Sequence, residues 1–168
     1  MDAKVPRIPL LTVGKVAERV SSLDLAGQEE ILERIRREQP IVLAYVVALA
    51  KQGVPYETID HVAHVLMVVF ECFGQSVGPL PQISEDAIIH EHERMQAMLR
   101  FFEGETGEEA ARLRRLAALN HPEVNLLAYV VDYLRKRGLS HYSEATERAL
   151  RVVTAIFGAF VTASRKPS

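Results

Sequence analysis

Apolar residues recur along this chain at the three-to-four-residue spacing of a single helix face. Nowhere do four to eight residues alternate apolar and polar between turn signals. That period predicts helices throughout and no strands. Breaks in the pattern divide it into about eight segments. The first covers about Thr12–Ser22, with Val13, Val16, Val20 and Leu23 on its inner face. The second starts near Gly27, where Glu29 and Glu30 suit the positive end of a helix dipole; Arg34, Arg36 and Arg37 suit its negative end. Gln39-Pro40 ends it, because proline disfavours helical backbone at the residue before it. Pro40 then fits the first position of a third helix, which stops at Gly53. A fourth helix runs from about Pro55 to Phe73 and is closed by Gly74, ahead of the Gly78-Pro79-Leu80-Pro81 break.

Ser84 is the expected N-cap of a fifth helix, with Glu85 and Asp86 behind it and Gly104 at its end. Thr106-Gly107-Glu108-Glu109 has the spacing of a capping box and opens a sixth. Asn120-His121-Pro122 begins the seventh, which ends at Gly138. Ser140 or Ser143 caps the eighth, which runs to about Ala163 before a tail, 164–168, expected to be loose. The fold class this predicts is all-α: one compact bundle of about eight helices spanning residues 1–168.

One segment repeats. Leu43-Ala44-Tyr45-Val46-Val47 recurs unchanged 84 residues later as Leu127-Ala128-Tyr129-Val130-Val131. The same offset carries Val68-Val69 onto Val152-Val153 and Phe73-Gly74 onto Phe157-Gly158. Three coincidences at one offset, in the same helix order, point to an internal duplication of a three-helix unit. Its copies cover about 27–75 and 108–160 and are joined by a helix at about 84–103. Two copies are too few for an extended solenoid and fit a pseudo-symmetric bundle better.

The third and seventh helices are apolar nearly all round, which predicts central positions for both, with the two copies packed against each other. The fourth and eighth carry a narrow polar stripe, through Asp60, His61, His64, Met67 and Glu71 in one and Glu144, Glu147, Arg148, Arg151 and Thr154 in the other. Four such apolar helices leave enough greasy surface for self-association, so a two-fold homodimer is the expected assembly.

Composition narrows the function classes only a little. The 168 residues are 48% hydrophobic and 25% charged, with a formal net charge of −2, which excludes a disordered chain and a generic polyanion binder. A single cysteine, Cys72, rules out an intramolecular disulfide. The N-terminus has no apolar signal-peptide region, and the longest uncharged helical stretches, 39–50 and 152–164, fall short of the roughly 20 residues a bilayer needs. The expectation is a cytoplasmic protein without a membrane partner.

Candidate chemistry is sparse. Glu57, His61 and His64 share a helix face, and His90 and Glu93 lie one turn apart on the next helix, so the four residues His61, His64, His90 and Glu93 could converge on a metal. The order is His-x-x-Glu rather than the Glu-x-x-His of di-iron bundles, and His61 and His64 correspond to Ala145 and Arg148 in the second copy. The residues therefore assign no metal, no cofactor and no reaction. No His-Glu-x-x-His, phosphate-binding glycine loop or Gly-x-Ser-x-Gly elbow occurs. Cys72, near a helix C-terminus beside Glu71, reads as a core thiol rather than a nucleophile. Arginine clusters at 34–37, 112–115 and 135–137 sit near glutamates or at helix ends, and there is no tryptophan; both weigh against a nucleic-acid partner. Tyr45 and Tyr129, equivalent in the repeat, need hydroxyl partners if buried. The expected function is a self-associating protein-interaction or scaffold domain with an unidentified protein partner. The alternatives are a metal- or small-ligand-binding helical protein, including an enzyme, and a nucleic-acid-associated regulator.

Overall fold

The apolar periodicity resolves into eight α-helices: α1 (Leu10–Ser21), α2 (Leu25–Glu38), α3 (Pro40–Lys51), α4 (Tyr56–Ser76), α5 (Glu85–Glu103), α6 (Gly107–Leu119), α7 (Val124–Lys136) and α8 (Glu144–Ala163). The structure is a computed structural model that describes residues 7–103, 107–139 and 143–165, without the side chains of 99–103, 109–110 and 113–116. No strand occurs among the described residues.

Local chemistry sets most boundaries. The Ser84 hydroxyl accepts from the Ala87 amide at 3.2 Å, and the Ser143 hydroxyl from the Thr146 amide at 3.1 Å, so both expected caps form. Ser140 and the Thr106 capping box lie outside the described residues. The start of α2 comes earlier than expected, because Asp24 caps it by accepting from the Gly27 amide at 2.9 Å. The α4 helix continues through Gly74 to Ser76, since Gly74 sits on an exposed face where a missing side chain forfeits no packing. Gly53 and Gly138 do end their helices. With φ of 77° and 74°, they occupy the left-handed region that reverses the chain after α3 and α7. The α7 helix begins at Val124, after Glu123 rather than at Pro122. Ser164, expected in a loose tail, is buried at the end of α8, and its carbonyl accepts from the Arg7 guanidinium.

The centre of the bundle is α4 and α8, not α3 and α7. The α4 helix packs against α1, α2, α3, α7 and α8, and α8 against α3, α4 and α5. With 21 and 20 residues these two helices reach about 30 Å, against about 18–20 Å for α3 and α7, and each carries an unbroken buried run, 65–73 in α4 and 155–161 in α8. Phe73 of α4 and Phe160 of α8 meet there with ring centroids 5.6 Å apart. Each of the two shorter helices buries one face (Val42, Val46 and Leu49; Leu126, Val130 and Leu134) and leaves another exposed (Ala44, Val47 and Ala50; Ala128 and Val131). The polar stripe of α8 is the more exposed side of its helix, carrying Glu144–Arg148 and Glu147–Arg151 ion pairs. That of α4 is solvated only at its start: Asp60 is exposed, His61 and His64 are half-buried, and Met67 and Glu71 are buried.

The two LAYVV segments share one burial register. In both, the second and fifth residues are exposed, the fourth is buried, and the leucine and tyrosine are half-buried. The α1 helix packs on α4 as α5 packs on α8, while α3 touches α8 and α7 touches α4. Two buried side chains at the helix starts act reciprocally. Gln39, before α3, accepts from the Ile83 amide at 2.8 Å and donates to the Pro81 carbonyl at 3.1 Å, holding the segment that enters α5. Glu123, before α7, accepts from the Ile8 amide at 3.1 Å and the Arg7 amide at 3.4 Å, and Asn125 donates to the Ile8 carbonyl at 3.1 Å, holding the segment that enters α1.

Candidate functional site

The clamp made by Gln39 also shapes a cleft. By fixing Pro81 and Ile83, it draws the α4–α5 connection over the C-terminal ends of α2 and α4. Beneath this connection lies a half-open cleft of about 300 Å³, lined by Arg34 and Glu38 of α2, Phe70, Glu71 and Gly74 of α4, Pro79 and Leu80 of the connection, and Phe160 of α8. That volume is at the small end of the range for ligand pockets.

Glu71 is the chemically distinctive group in it. The residue is only 4% exposed, in a run that is otherwise apolar from Val65 to Phe73. A carboxylate in such a place must be paired. Arg19 of α1 donates to Oε2 at 2.5 Å, and the Arg34 guanidinium stands 2.8 Å from Oε1. The Arg34 contact is electrostatic without hydrogen-bond alignment, so Oε1, buried, accepts no hydrogen bond. Arg34 also lies over the Phe70 ring, 5.4 Å from its centroid. The cleft thus presents an under-used acceptor, aromatic faces and one partly exposed cation.

A second cluster forms between α4 and α7. His61 Nδ1 lies 3.2 Å from the Tyr133 hydroxyl and His64 Nε2 3.0 Å from the Tyr129 hydroxyl. His64 stacks on Tyr133 at 4.4 Å, and the Arg137 guanidinium covers the same ring at 5.3 Å. Burial lowers the His64 pKa below the ordinary 6.5, and the positive charges of Arg137 and His61 lower it further. Burial pushes the Tyr129 hydroxyl up to about 12. His121, packed on Phe157, is lowered chiefly by burial, then by Arg165 and Arg94. The unfolded chain therefore takes up protons at these histidines more readily than the folded one. Their contribution to stability is complete above pH 6.5 and is lost as the pH falls through the lowered folded values. Urea unfolding at about pH 7.5 and about pH 5.5 is expected to show a lower midpoint at the acid value, with a smaller drop in His64→Asn; an unchanged midpoint would contradict this arrangement.

These placements decide the residues singled out from the sequence. His61 and His64 face tyrosines of α7, whereas His90 and Glu93 are exposed on α5, so the four do not converge. Among the described residues, no three His, Cys, Asp or Glu side chains gather as a metal site would require. Cys72 is buried, and burial with the neighbouring Glu71 charge pushes its thiol up to about 12. Tyr45 and Tyr129 have separate surroundings: burial raises the Tyr45 pKa and the Glu85 charge of α5 raises it further, while Tyr129 meets His64. In the described arginine clusters, Arg36 pairs with Glu33, Arg37 with Glu38, and Arg135 and Lys136 with Asp132. The side chains of Arg114 and Arg115 lie outside the described residues. No helix of the described residues is long and apolar enough to cross a membrane.

Sequence reasoning missed the cleft and the buried acids Glu91 and Glu123. Glu91 accepts from Thr162 at 2.7 Å and from Arg94 at 2.9 Å, against Gly158, where a Cβ would stand 2.6 Å from its Oε2. The available signal was a lone acid in an apolar run for Glu71, and a glycine inside a helix for Gly158. The chain matches no protein-family model, no curated protein and no solved structure.

Proposed function

We propose that this chain is a small-ligand-binding helical protein and that the cleft between α2 and α4 is its site. The observation that carries the reading is the buried Oε1 of Glu71, which accepts no hydrogen bond in a cleft floored by Phe70 and Phe160. The Arg34 guanidinium compensates its charge at 2.8 Å without an aligned N–H, so a ligand donor aligned on Oε1 would add one charge-assisted hydrogen bond. Gly74 gives a direct test. It lines the cleft, and a Cβ built on it meets nothing within 4 Å, so Gly74→Trp fills the space without disturbing the core. A mixed fragment set screened by NMR is expected to shift the amides of Phe70, Gly74 and Leu80 in the wild type and not in Gly74→Trp. Fragments that leave those amides unmoved, or that bind the variant equally, would remove the reading.

A second reading, self-association as a two-fold homodimer, is favoured by the uncharged exposed stripes Ala44–Val47 and Ala128–Val131. Alanine and valine on a helix face permit close approach of a second copy. Sedimentation is expected to give a dimer that Val47→Glu with Val131→Glu converts to a monomer; a wild-type monomer at high micromolar concentration would end it. The reading of the chain as two copies of one unit is supported by the shared LAYVV register and the reciprocal Gln39 and Glu123 clamps. Because α1 packs on α4 as α5 does on α8, the unit is better drawn as four helices than three.

A further inference from the structure

We infer that the ligand of this cleft is a small organic cation, a primary ammonium carried on an apolar or aromatic body. The inference rests on the ligand-binding reading above and assigns its chemical class. Three features lead to it. Among the described residues, the charged side chains lining the cleft are Arg34, Glu38 and Glu71, and the two acids also pair with Arg37 and Arg19 outside it. The C-terminal ends of α2 and α4 meet at the same place, and each adds the partial negative charge of its unpaired carbonyls. Phe70, Phe73 and Phe160 back the cleft with apolar surface, and the Phe70 ring already holds one cation, the Arg34 guanidinium.

The protein already rehearses this recognition. Arg34 places its guanidinium over Phe70 and against Glu71 Oε1, the two contacts an ammonium would make. It does so imperfectly, because Oε1 still lacks an aligned donor, and its side chain is 40% exposed. Arg34 gives up this place only to another cation, which takes over its pairing with Oε1 while Arg19 keeps Oε2 paired. A compact ammonium, with three rotatable donors, fills the vacated position and aligns on Oε1. Arg34 is on this account a competitor of the ligand, and the sign of its removal separates ligand classes: a cation gains affinity when Arg34 goes, and an anion loses it.

The test uses 2-phenylethylammonium, 2-phenylethanol and phenylacetate at neutral pH, titrated into the full chain and followed by NMR at Phe70, Gly74 and Leu80. The ammonium is expected to bind at least about tenfold more tightly than the other two, the scale of one charged hydrogen bond. Arg34→Gln is expected to tighten ammonium binding by about tenfold, and Glu71→Gln to weaken it by at least as much. Should Glu71→Gln fail to fold, the Arg34→Gln sign still decides. Preference for the alcohol or for phenylacetate, or weaker ammonium binding by Arg34→Gln, would overturn the assigned class while leaving the cleft a ligand site. No shift at the cleft with any of the three would overturn both.

Discussion

Phe160→Ala is expected to lower the unfolding free energy by about 3–5 kcal/mol, a large share of what a domain of this size possesses. Phe160 is 1% exposed and is among the largest fully buried side chains. It stands where α8 crosses α4 against Phe73, so truncation empties space that two long helices cannot close by sliding. The loss should appear as a lower urea midpoint at an unchanged slope, since the native fold is kept. Val131→Ala, on the exposed side of α7, serves as the contrast and should change stability by no more than about 0.5 kcal/mol. A Phe160→Ala loss below about 1 kcal/mol would mean that α4 and α8 do not form the core.

The second large effect is expected from the two clamps. Glu123→Leu removes the acceptor of the Ile8 amide, which belongs to a residue with 0% exposure, and of the Arg7 amide. Leaving a buried N–H without a partner, together with losing a charged acceptor, should cost about 2–3 kcal/mol. Gln39→Leu strands the Ile83 amide and the Pro81 carbonyl in the same way and should cost about the same. Hydrogen exchange gives the specific readout. Glu123→Leu should speed exchange at Ile8 before the rest of the chain, Gln39→Leu at Ile83, and Glu123→Gln, which keeps an acceptor, should do much less. Unchanged exchange at Ile8 in Glu123→Leu would show that the carboxylate does not hold the segment.

The helices themselves were legible because their causes are local. Apolar period, Pro40 at a first position, Ser84 and Ser143 as caps, and Gly53 and Gly138 as stops all act within a few residues. The choice of central helices was not legible in the same way. The freedom of α3 and α7 from charge pointed to the middle, yet it is α4 and α8 that carry unbroken buried runs, 65–73 and 155–161. Length alone does not decide it, since α5, with 19 residues, packs to one side against α8. His61 and His64 read as possible ligands on their own helix, but their partners, Tyr133 and Tyr129, arrive from about seventy residues away. The cleft is harder still to anticipate. Its walls come from residues 34–39, 70–80 and 160, and nothing in any one of these segments announces the other two. Glu71 read as the end of a polar stripe on α4, and only the apolar residues on either side of it hinted that it is buried.

The clamp by Glu123 also imposes an order on biosynthesis. Ile8 and the residue that seats it are 115 positions apart, whereas Ile83 is seated by Gln39, which precedes it by 44. At ribosomal rates of about 5–20 residues per second, the first segment is made roughly 6–23 seconds before its acceptor. The lead-in to α5 thus finds its acceptor already made, whereas the lead-in to α1 waits for its own. Until then its apolar face is available to a chaperone.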